Sequence, residues 1–475
     1  MKGRKSMSHR TVETRRKESS GAVLVWVLLI LALSLACGCS GDEAKYSVSG
    51  RVTSAGSALP GVTMTLSGDG SGTTVTDANG NYGFGDLEWG TYTVTPTLAG
   101  YQFMPAFRNV YLQGNNGEGF NFNAGRPIQV STSSHTLYQK SDGTVWAWGN
   151  NASGQLGDGS TTDRYSPVAV SGLTGVTAVS AGGAHSLALK SDGTVWAWGS
   201  NTSGQLGDGS TTDRLAPVQV GGLSGVTAIA AGTDFSMALK NDGTVWTWGN
   251  GTSGQLGNGA LASSASAVRA GDLTGIAAIA AGHDHALAMN TSNASWVWGG
   301  NSRGQLCIGN TTNYSSPVRI GIFVTAISAG TQFTVALVRD SLNGDVYACG
   351  ANDSGQLGNG STADSWSAVM IAMGSLNVAA LAAGTDHVLA LNIDGTVWAW
   401  GNNSAGELGN GTAINSSVPV QVSGLAGVQG IEAGYRNSFA ETSSNAIFAW
   451  GNNSDGQLGD TTTTNRWSPE QITLP

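Results

Sequence analysis

Few side chains in this 475-residue chain are equipped for chemistry: charged residues make up 11 %, with six histidines and four cysteines. His135, His185, His285 and His387 recur at intervals of about fifty or a hundred residues, and imidazoles at a fixed position could ligate a metal. They fall one to a repeat, however, and Phe235, Phe333 and Asn437 take the same place elsewhere. The expected role is structural, a histidine capping a turn within its own repeat, with no metal and no cofactor. His283 stands two residues from His285, but no third ligand is near. Asp158, Asp163, Asp208 and Asp213 lie in "GDGSTTDR" stretches. Such carboxylates could face a cation or a partner, and solvated turns are the default expectation. Hydrolysis by paired carboxylates needs two acids at a defined separation, one of them with a raised pKa. No acidic pair stands out from the repeated background, nor does a Gly-x-Ser-x-Gly elbow, a phosphate loop or a zinc motif. Features that repeat cannot mark a single active site, so no catalytic residue is expected and the chain reads as a non-enzyme.

The elements that position these residues are repeats. Gly-Gln-Leu-Gly occurs at 154–157, 204–207, 254–257, 355–358 and 456–459, with variants Gly304-Gln-Leu-Cys307 and Gly406-Glu-Leu-Gly409. Trp-Gly occurs at Trp148, Trp198, Trp248, Trp298, Trp400 and Trp450, and Cys349-Gly350 fills the remaining place. A period near fifty signals a solenoid, a propeller or an array. In one unit Val176–Ser180 is a short apolar run, Ser186–Lys190 a strand and Thr194–Trp198 its partner across a two-residue Asp192-Gly193 turn. A long loop leads to a fourth strand, Pro217–Val220, with proline at its start. Helical periodicity is lacking, and four short strands in each of seven units predict an all-β protein whose residues 128–475 form a seven-bladed propeller. No special capping unit is seen, so ring closure is expected to use both ends of the array.

The string Val179-Ser-Ala-Gly-Gly-Ala-His185-Ser-Leu-Ala-Leu189, with Gly-Gln-Leu-Gly and Trp-Gly, resembles the regulator of chromosome condensation repeat family over about 350 residues. Thr132 departs from it by replacing the turn glycine of the first unit. The resemblance implies a ring that binds a partner on one face. Guanine-nucleotide exchange, the activity of the family's eukaryotic nuclear member, is an alternative. A polysaccharide-acting enzyme is another, since propellers also host glycosidases.

Residues 46–124 alternate with period two in Tyr46–Val52, Val62–Leu66, Thr73–Thr76 and Thr91–Thr95, separated by turn residues such as Gly68-Asp-Gly70 and Asp77–Asn81. "SGRVTSAGSALPGVTMTLSG" with "TDANGNYGFGDLEWGTYTVTP" resembles the carboxypeptidase regulatory-like family, which implies a small transthyretin-like β-sandwich acting as a spacer or adhesive module. Asp69, Asp77 and Asp86 sit beside glycine and asparagine, so turn chemistry rather than calcium explains them.

Residues 1–39 combine seven basic residues with the uncharged run Gly21–Ala36, the layout of an export signal. The run is shorter than the roughly twenty residues that comfortably span a bilayer, and Arg15-Arg16 lacks the apolar residues a twin-arginine signal places after the pair. Cys37 and Cys39 follow small residues and resemble the lipobox cysteine of bacterial lipoproteins, making both candidate lipid attachment sites, with 40–45 as a linker. Residues 1–39 hold seven of the 22 basic and two of the 31 acidic residues, so the remainder carries formal charge −14. That sign repels nucleic acid. Cys307 and Cys349 each replace a recurrent residue, a Gly in the fourth unit and a Trp in the fifth. Their neighbouring places suggest a disulfide between adjacent blades in an oxidising compartment, two buried thiols being the alternative.

Together these readings describe an exported bacterial protein of the cell envelope, lipid-anchored or secreted, held at the membrane by its N-terminal lipid or apolar segment. It is expected to be a monomeric scaffold binding a protein or a glycan, and not nucleic acid. Trp366, Trp467, Tyr165 and Tyr314, read as lying in loops ahead of fourth strands, either form a partner-binding rim or pack between blades.

Overall fold

The computed structural model describes residues 45–475 except 55–56, 99–101, 105–106, 126–129, 322–323, 339–344 and 375. The candidate signal, Cys37 and Cys39, and nearly all of the 40–45 linker therefore lie outside the described residues. Among the described residues every regular element is a strand, and no helix is long and apolar enough to cross a membrane.

The first part is a sandwich of two sheets. One pairs Thr63–Gly68 with Gly72–Val75 and Gly90–Thr97, and Gly90–Thr97 with Arg108–Leu112. The other is built on Tyr46–Ser54, which pairs antiparallel with Asn81–Leu87 and parallel with Phe122–Gly125. Alternate residues turn inward, so Val48, Val52, Met64, Leu66, Tyr92, Val94 and Phe122 form one core. Asp77 accepts the N–H groups of Asn79 and Asn81, both at 2.8 Å, which is turn chemistry. Asn81–Leu87 and Arg108–Leu112 also form strands, which the sequence pattern left unassigned.

The second part is the propeller. Seven consecutive four-stranded antiparallel sheets occupy 130–169, 176–219, 226–269, 276–320, 326–371, 378–421 and 428–472, here blades one to seven. Each blade runs from an innermost to an outermost strand in chain order. In blade two these are Val176–Ala181, His185–Lys190, Val195–Gly199 and Arg214–Gln219.

Two local details differ from the sequence reading. Lys190 N–H bonds to Thr194 O at 3.0 Å and Gly193 N–H to Lys190 O at 2.9 Å, so the hairpin loop is Ser191-Asp192-Gly193, three residues rather than two. Gly193 takes φ +76°, and Asp192 holds the turn by accepting from Thr194 N–H at 3.0 Å. Pro217 lies inside the fourth strand rather than at its start. It is tolerated because that strand is outermost and its far edge needs no donor.

Packing between blades is repeated at nearly every joint. The indole of Trp198 is fully buried and donates to Gln155 O of the preceding blade at 2.8 Å. Trp248, Trp298, Trp400 and Trp450 donate likewise to residues 205, 255, 356 and 407, at 2.8–3.0 Å. Trp148 of blade one donates to Gln457 O of blade seven at 2.9 Å, so the ring closes through the contact used elsewhere. One cluster there joins Val130 and Trp148 to Phe439, Ile447 and Leu458. Replacing Trp198 by alanine is therefore expected to cost about 3–5 kcal/mol in urea denaturation. A loss below 1 kcal/mol would show that the indole does not hold the joint.

Candidate functional site

Because successive strands are antiparallel, the turn between first and second strands and the loop between third and fourth strands share one face. The short hairpins and the links between blades share the other. The first of these faces carries the long Gly-Gln-Leu-Gly loops. Each is built on an asparagine two residues beyond Trp-Gly. Asn151 is fully buried; its Nδ2 donates to Ser160 O at 3.1 Å and Thr162 O at 3.0 Å, and its Oδ1 accepts from Leu156 N–H at 2.9 Å. Asn201, Asn301, Asn352, Asn403 and Asn453 repeat this pattern, and the third repeat has Gly251, where a Cβ would collide with Ala262 O. Sequence reasoning missed these staples, although their recurrence two places after Trp-Gly was visible.

The aspartates of the "GDGSTTDR" stretches serve the same loops. Asp158 and Asp208 pair with Arg164 and Arg214, both at 2.7 Å, with carboxylates only 8 % exposed. Asp163 and Asp213 accept the backbone N–H of Asn151 and Asn201, both at 2.7 Å. The expectation of solvated turns is corrected for Asp158 and Asp208: bonds within the loop draw them inward. For Asp158, burial opposes ionisation, yet hydrogen bonds from Ser160 and Arg164 hold its carboxyl below the ordinary value.

The histidines are structural, but they do not cap turns in their own blades. Ser186 Oγ donates to Gln155 O at 2.7 Å, so its lone pair accepts from His135 Nε2 of the preceding blade at 2.7 Å. His185 meets Ser236 at 2.9 Å, His285 meets Thr334 at 3.1 Å and His387 meets Ser438 at 2.9 Å. The short turn of each blade brings the ring to the joint, where the neighbour's hydroxyl lies within reach. Asn437 makes the corresponding link from blade seven to blade one by donating to Ser133 O at 3.1 Å. All four rings are completely buried, and desolvation holds His135 down to about 3 and the others to about 4. Among the described residues no group of three or more His, Cys, Asp or Glu could hold a metal.

Two joints carry exchanged residues on both sides. Cys307 of blade four and Cys349 of blade five form a disulfide, with Cα atoms 5.5 Å apart. At other joints the glycine lies against the tryptophan ring with no room for a Cβ, as Gly157 does against Trp198. Exchanging Trp for Cys349 makes space for the side chain of Cys307, which retains the left-handed φ of +59°. Glu407 stands where other loops have glutamine; it is fully buried and accepts from Arg436 Nε of blade seven at 3.0 Å.

Tyr165, Trp366 and Trp467 lie within fourth strands, not in the loops ahead of them. Each leans on the first glycine of the preceding blade's loop, Gly456, Gly304 and Gly406 respectively, yet remains about half exposed at 47 %, 53 % and 53 %. The packing between blades is thus present on one side of each ring, and the other side meets solvent. Tyr314 sits one position earlier, is half-buried and accepts from Asn310 Nδ2 at 3.3 Å. The innermost strands surround a central channel with a volume of about 1110 Å³.

Comparison with known proteins matches the regulator of chromosome condensation (RCC1) repeat at 142–189, 192–239, 242–289, 294–337, 343–391, 394–440 and 444–475. The chain belongs to the RCC1 repeat family. Most of its matched repeats run from the third strand of one blade into the second strand of the next, so each such repeat contains a joint. The carboxypeptidase regulatory-like domain matches residues 47–124. Human WBSCR16 shares the fold with a TM-score of 0.64 at 24 % identity, covering 70 % of this chain and 94 % of its own. Prp20p of Saccharomyces cerevisiae, studied for its binding to Gsp1p and histones, has a TM-score of 0.64 at 22 % identity, covering 71 % and 88 %. The ultraviolet-B receptor UVR8 of Arabidopsis thaliana is 32 % identical over 100 residues, 21 % of this chain and 22 % of that protein. The mitochondrial RCC1 domain-containing protein RUG3 of the same plant is 32 % identical over 104 residues, 22 % of this chain and 23 % of its own. The chain thus matches less than a quarter of the length of either plant protein.

Two measurements test this RCC1-repeat site. Intact mass without reductant is expected to be lighter by two hydrogens than the reduced protein, and reduction to lower stability by about 2–4 kcal/mol. Two free thiols in the native protein would end the disulfide reading. The histidines have folded pKa values below the unfolded value near 6.5, so the unfolded chain takes up protons that the folded chain refuses. Stability should therefore fall as pH drops from 6.5 towards 4, by at most about 1.4 kcal/mol per pH unit for each histidine. His185→Asn, which copies Asn437, should flatten the slope by about one histidine's share in urea titrations between pH 7.5 and 4.5. An unchanged slope would overturn the assignment.

Proposed function

We propose that this protein is a non-catalytic binding protein of the bacterial envelope that holds a protein partner on the loop-bearing face of its propeller. The observation that carries this reading is the set of half-exposed aromatics, Tyr165, Trp366 and Trp467, at one position of blades one, five and seven. Large aromatics on a rigid base are the side chains that dominate protein interfaces. The exposed Leu215 continues the set on blade two. A partner of positive charge suits the −14 formal charge beyond residue 39. Prp20p, which shares the fold, binds Gsp1p and histones, an example of an RCC1 propeller engaging proteins.

Export is the second half of the proposal. The basic segment and apolar run of residues 1–36, with Cys37 or Cys39 as the lipidated residue, support it, as does the Cys307–Cys349 pair, since disulfides persist where thiols are not kept reduced.

The test is capture from envelope extract by the native protein and by a Tyr165→Ala, Trp366→Ala, Trp467→Ala triple variant, followed by affinity measurement on the captured protein. The native chain should retain one discrete partner, and the triple variant should bind at least tenfold more weakly with unchanged thermal stability. Equal binding by both would remove the aromatic face from the account. Retention of a small GTPase with accelerated nucleotide release, or cleavage of a glycan, would replace the scaffold reading by exchange or polysaccharide hydrolysis. Native protein found in the cytoplasm with residues 1–39 intact would refute export.

A further inference from the structure

Glu432 lies on the innermost strand of blade seven and borders the central channel. Register places it opposite Phe439. The equivalent place is Ser131, Ser180 or Ser328 in three blades and alanine in the remaining three. Blade seven alone puts a carboxylate in this layer. Much of the surrounding wall is apolar, with Val179, Ile229, Ile279 and Ile327 among its residues. Among the described residues no lysine or arginine borders the channel.

The groups that face Glu432 are few. Ser131 Oγ of blade one stands 3.5 Å from its Oε1, and the Thr132 backbone also favours its charged form. The flanking innermost strands, Val130–Thr132 and Val378–Ala383, have no titratable side chain. The second strand of its own blade carries Glu441, which pairs with Gly430. The other titratable groups bordering the channel, Asp234, His283 and Tyr435, stand in or beside turns at its mouth. Glu432 is half-buried, and a carboxylate partly drawn from water without a cation is disfavoured unless it keeps its proton or a cation arrives.

We propose that the central channel is a binding site for a small ligand carrying one alkylammonium group on a slender apolar body, with Glu432 as its counter-ion. The volume of about 1110 Å³ suits a small organic molecule, and the apolar wall covers its hydrocarbon part. This site is separate from the aromatic face and does not depend on the protein partner proposed above.

Burial pushes the Glu432 carboxyl up to about 8, so at neutral pH it is mostly protonated until a cation displaces the proton. Binding should therefore release a proton at pH 7. Affinity should rise by up to tenfold per pH unit below 8, hold between pH 8 and about 10, and fall as the amine loses its own charge. The experiment is calorimetric titration of the native protein with n-hexylamine, with hexan-1-ol as the neutral control, at pH 6, 7, 8 and 9. Hexylamine is expected to bind at least tenfold more tightly than hexanol at pH 9, and its heat at pH 7 to vary with the ionisation enthalpy of the buffer. Glu432→Gln should abolish both the preference and its pH dependence. Glu432→Ser, which copies three sister blades, should do the same with folding kept intact. No binding at pH 9, equal binding of amine and alcohol, or undiminished amine binding by either variant would overturn the proposal.

Discussion

The ring depends on one acceptor at each joint: the carbonyl of the residue after the first glycine of Gly-Gln-Leu-Gly. In blade one that carbonyl, Gln155 O, receives the indole N–H of Trp198 and the hydroxyl of Ser186 from blade two. The hydroxyl in turn accepts from His135 of blade one, so the connection crosses the joint more than once. A four-stranded sheet of this size has no core of its own. Its valines, leucines and tryptophan become buried only against the next sheet, and the cluster of Leu187, Val195 and Leu206 with Ala238 and Trp248 shows that sharing. A buried indole N–H or serine hydroxyl without a partner would cost about 1–3 kcal/mol. The carbonyl satisfies both at once, fixing the spacing between neighbouring blades.

That constraint explains why the irregular residues come in pairs. A lone cysteine at 307 would meet a tryptophan ring with no space for its side chain. With Cys349 in place of the ring, the same joint accommodates both sulfurs, and Cys349 Sγ lies 3.6 Å from Gln305 O, the carbonyl an indole would otherwise use. Arg303 reinforces this joint by pairing with Asp353 and Asp364 of blade five. Between blades six and seven, Glu407 brings a buried carboxylate and Arg436 brings its cation, the backbone at Arg436 taking φ +62°. In each case one side of the joint has changed with the other, because a close-packed contact leaves no room for a change on one side alone.

The loops are rigid for a related reason. The buried Asn151 and its copies satisfy backbone groups that a loop of this length would otherwise leave to water. Asp158 and Arg164 close the loop from outside. The segments best placed to vary are therefore individual positions on a fixed frame, such as the half-exposed position occupied by tyrosine, leucine, alanine, serine or tryptophan around the ring. Glu432 is the counterpart inside the channel, a single replacement in a layer of serine and alanine.

The sequence by itself determined the repeat number, the order of four strands in each unit, the all-β class and the paired exchange of Cys307 and Cys349. These were legible because strand alternation, turn glycines and a fifty-residue period are local properties. It also marked the regions resembling the two families. What it could not supply was which blade a side chain reaches. The histidines read as caps within a blade because their neighbours in sequence are turn residues, whereas their hydroxyl partners lie about fifty residues away. Asp158 read as solvated because its arginine and asparagine partners converge only once the loop has folded. Glu432 drew no reading from the sequence, since only closure of the ring makes its strand the wall of a channel. Contacts across a joint and the dielectric inside a ring are products of tertiary assembly, and the order of residues along one strand does not contain them.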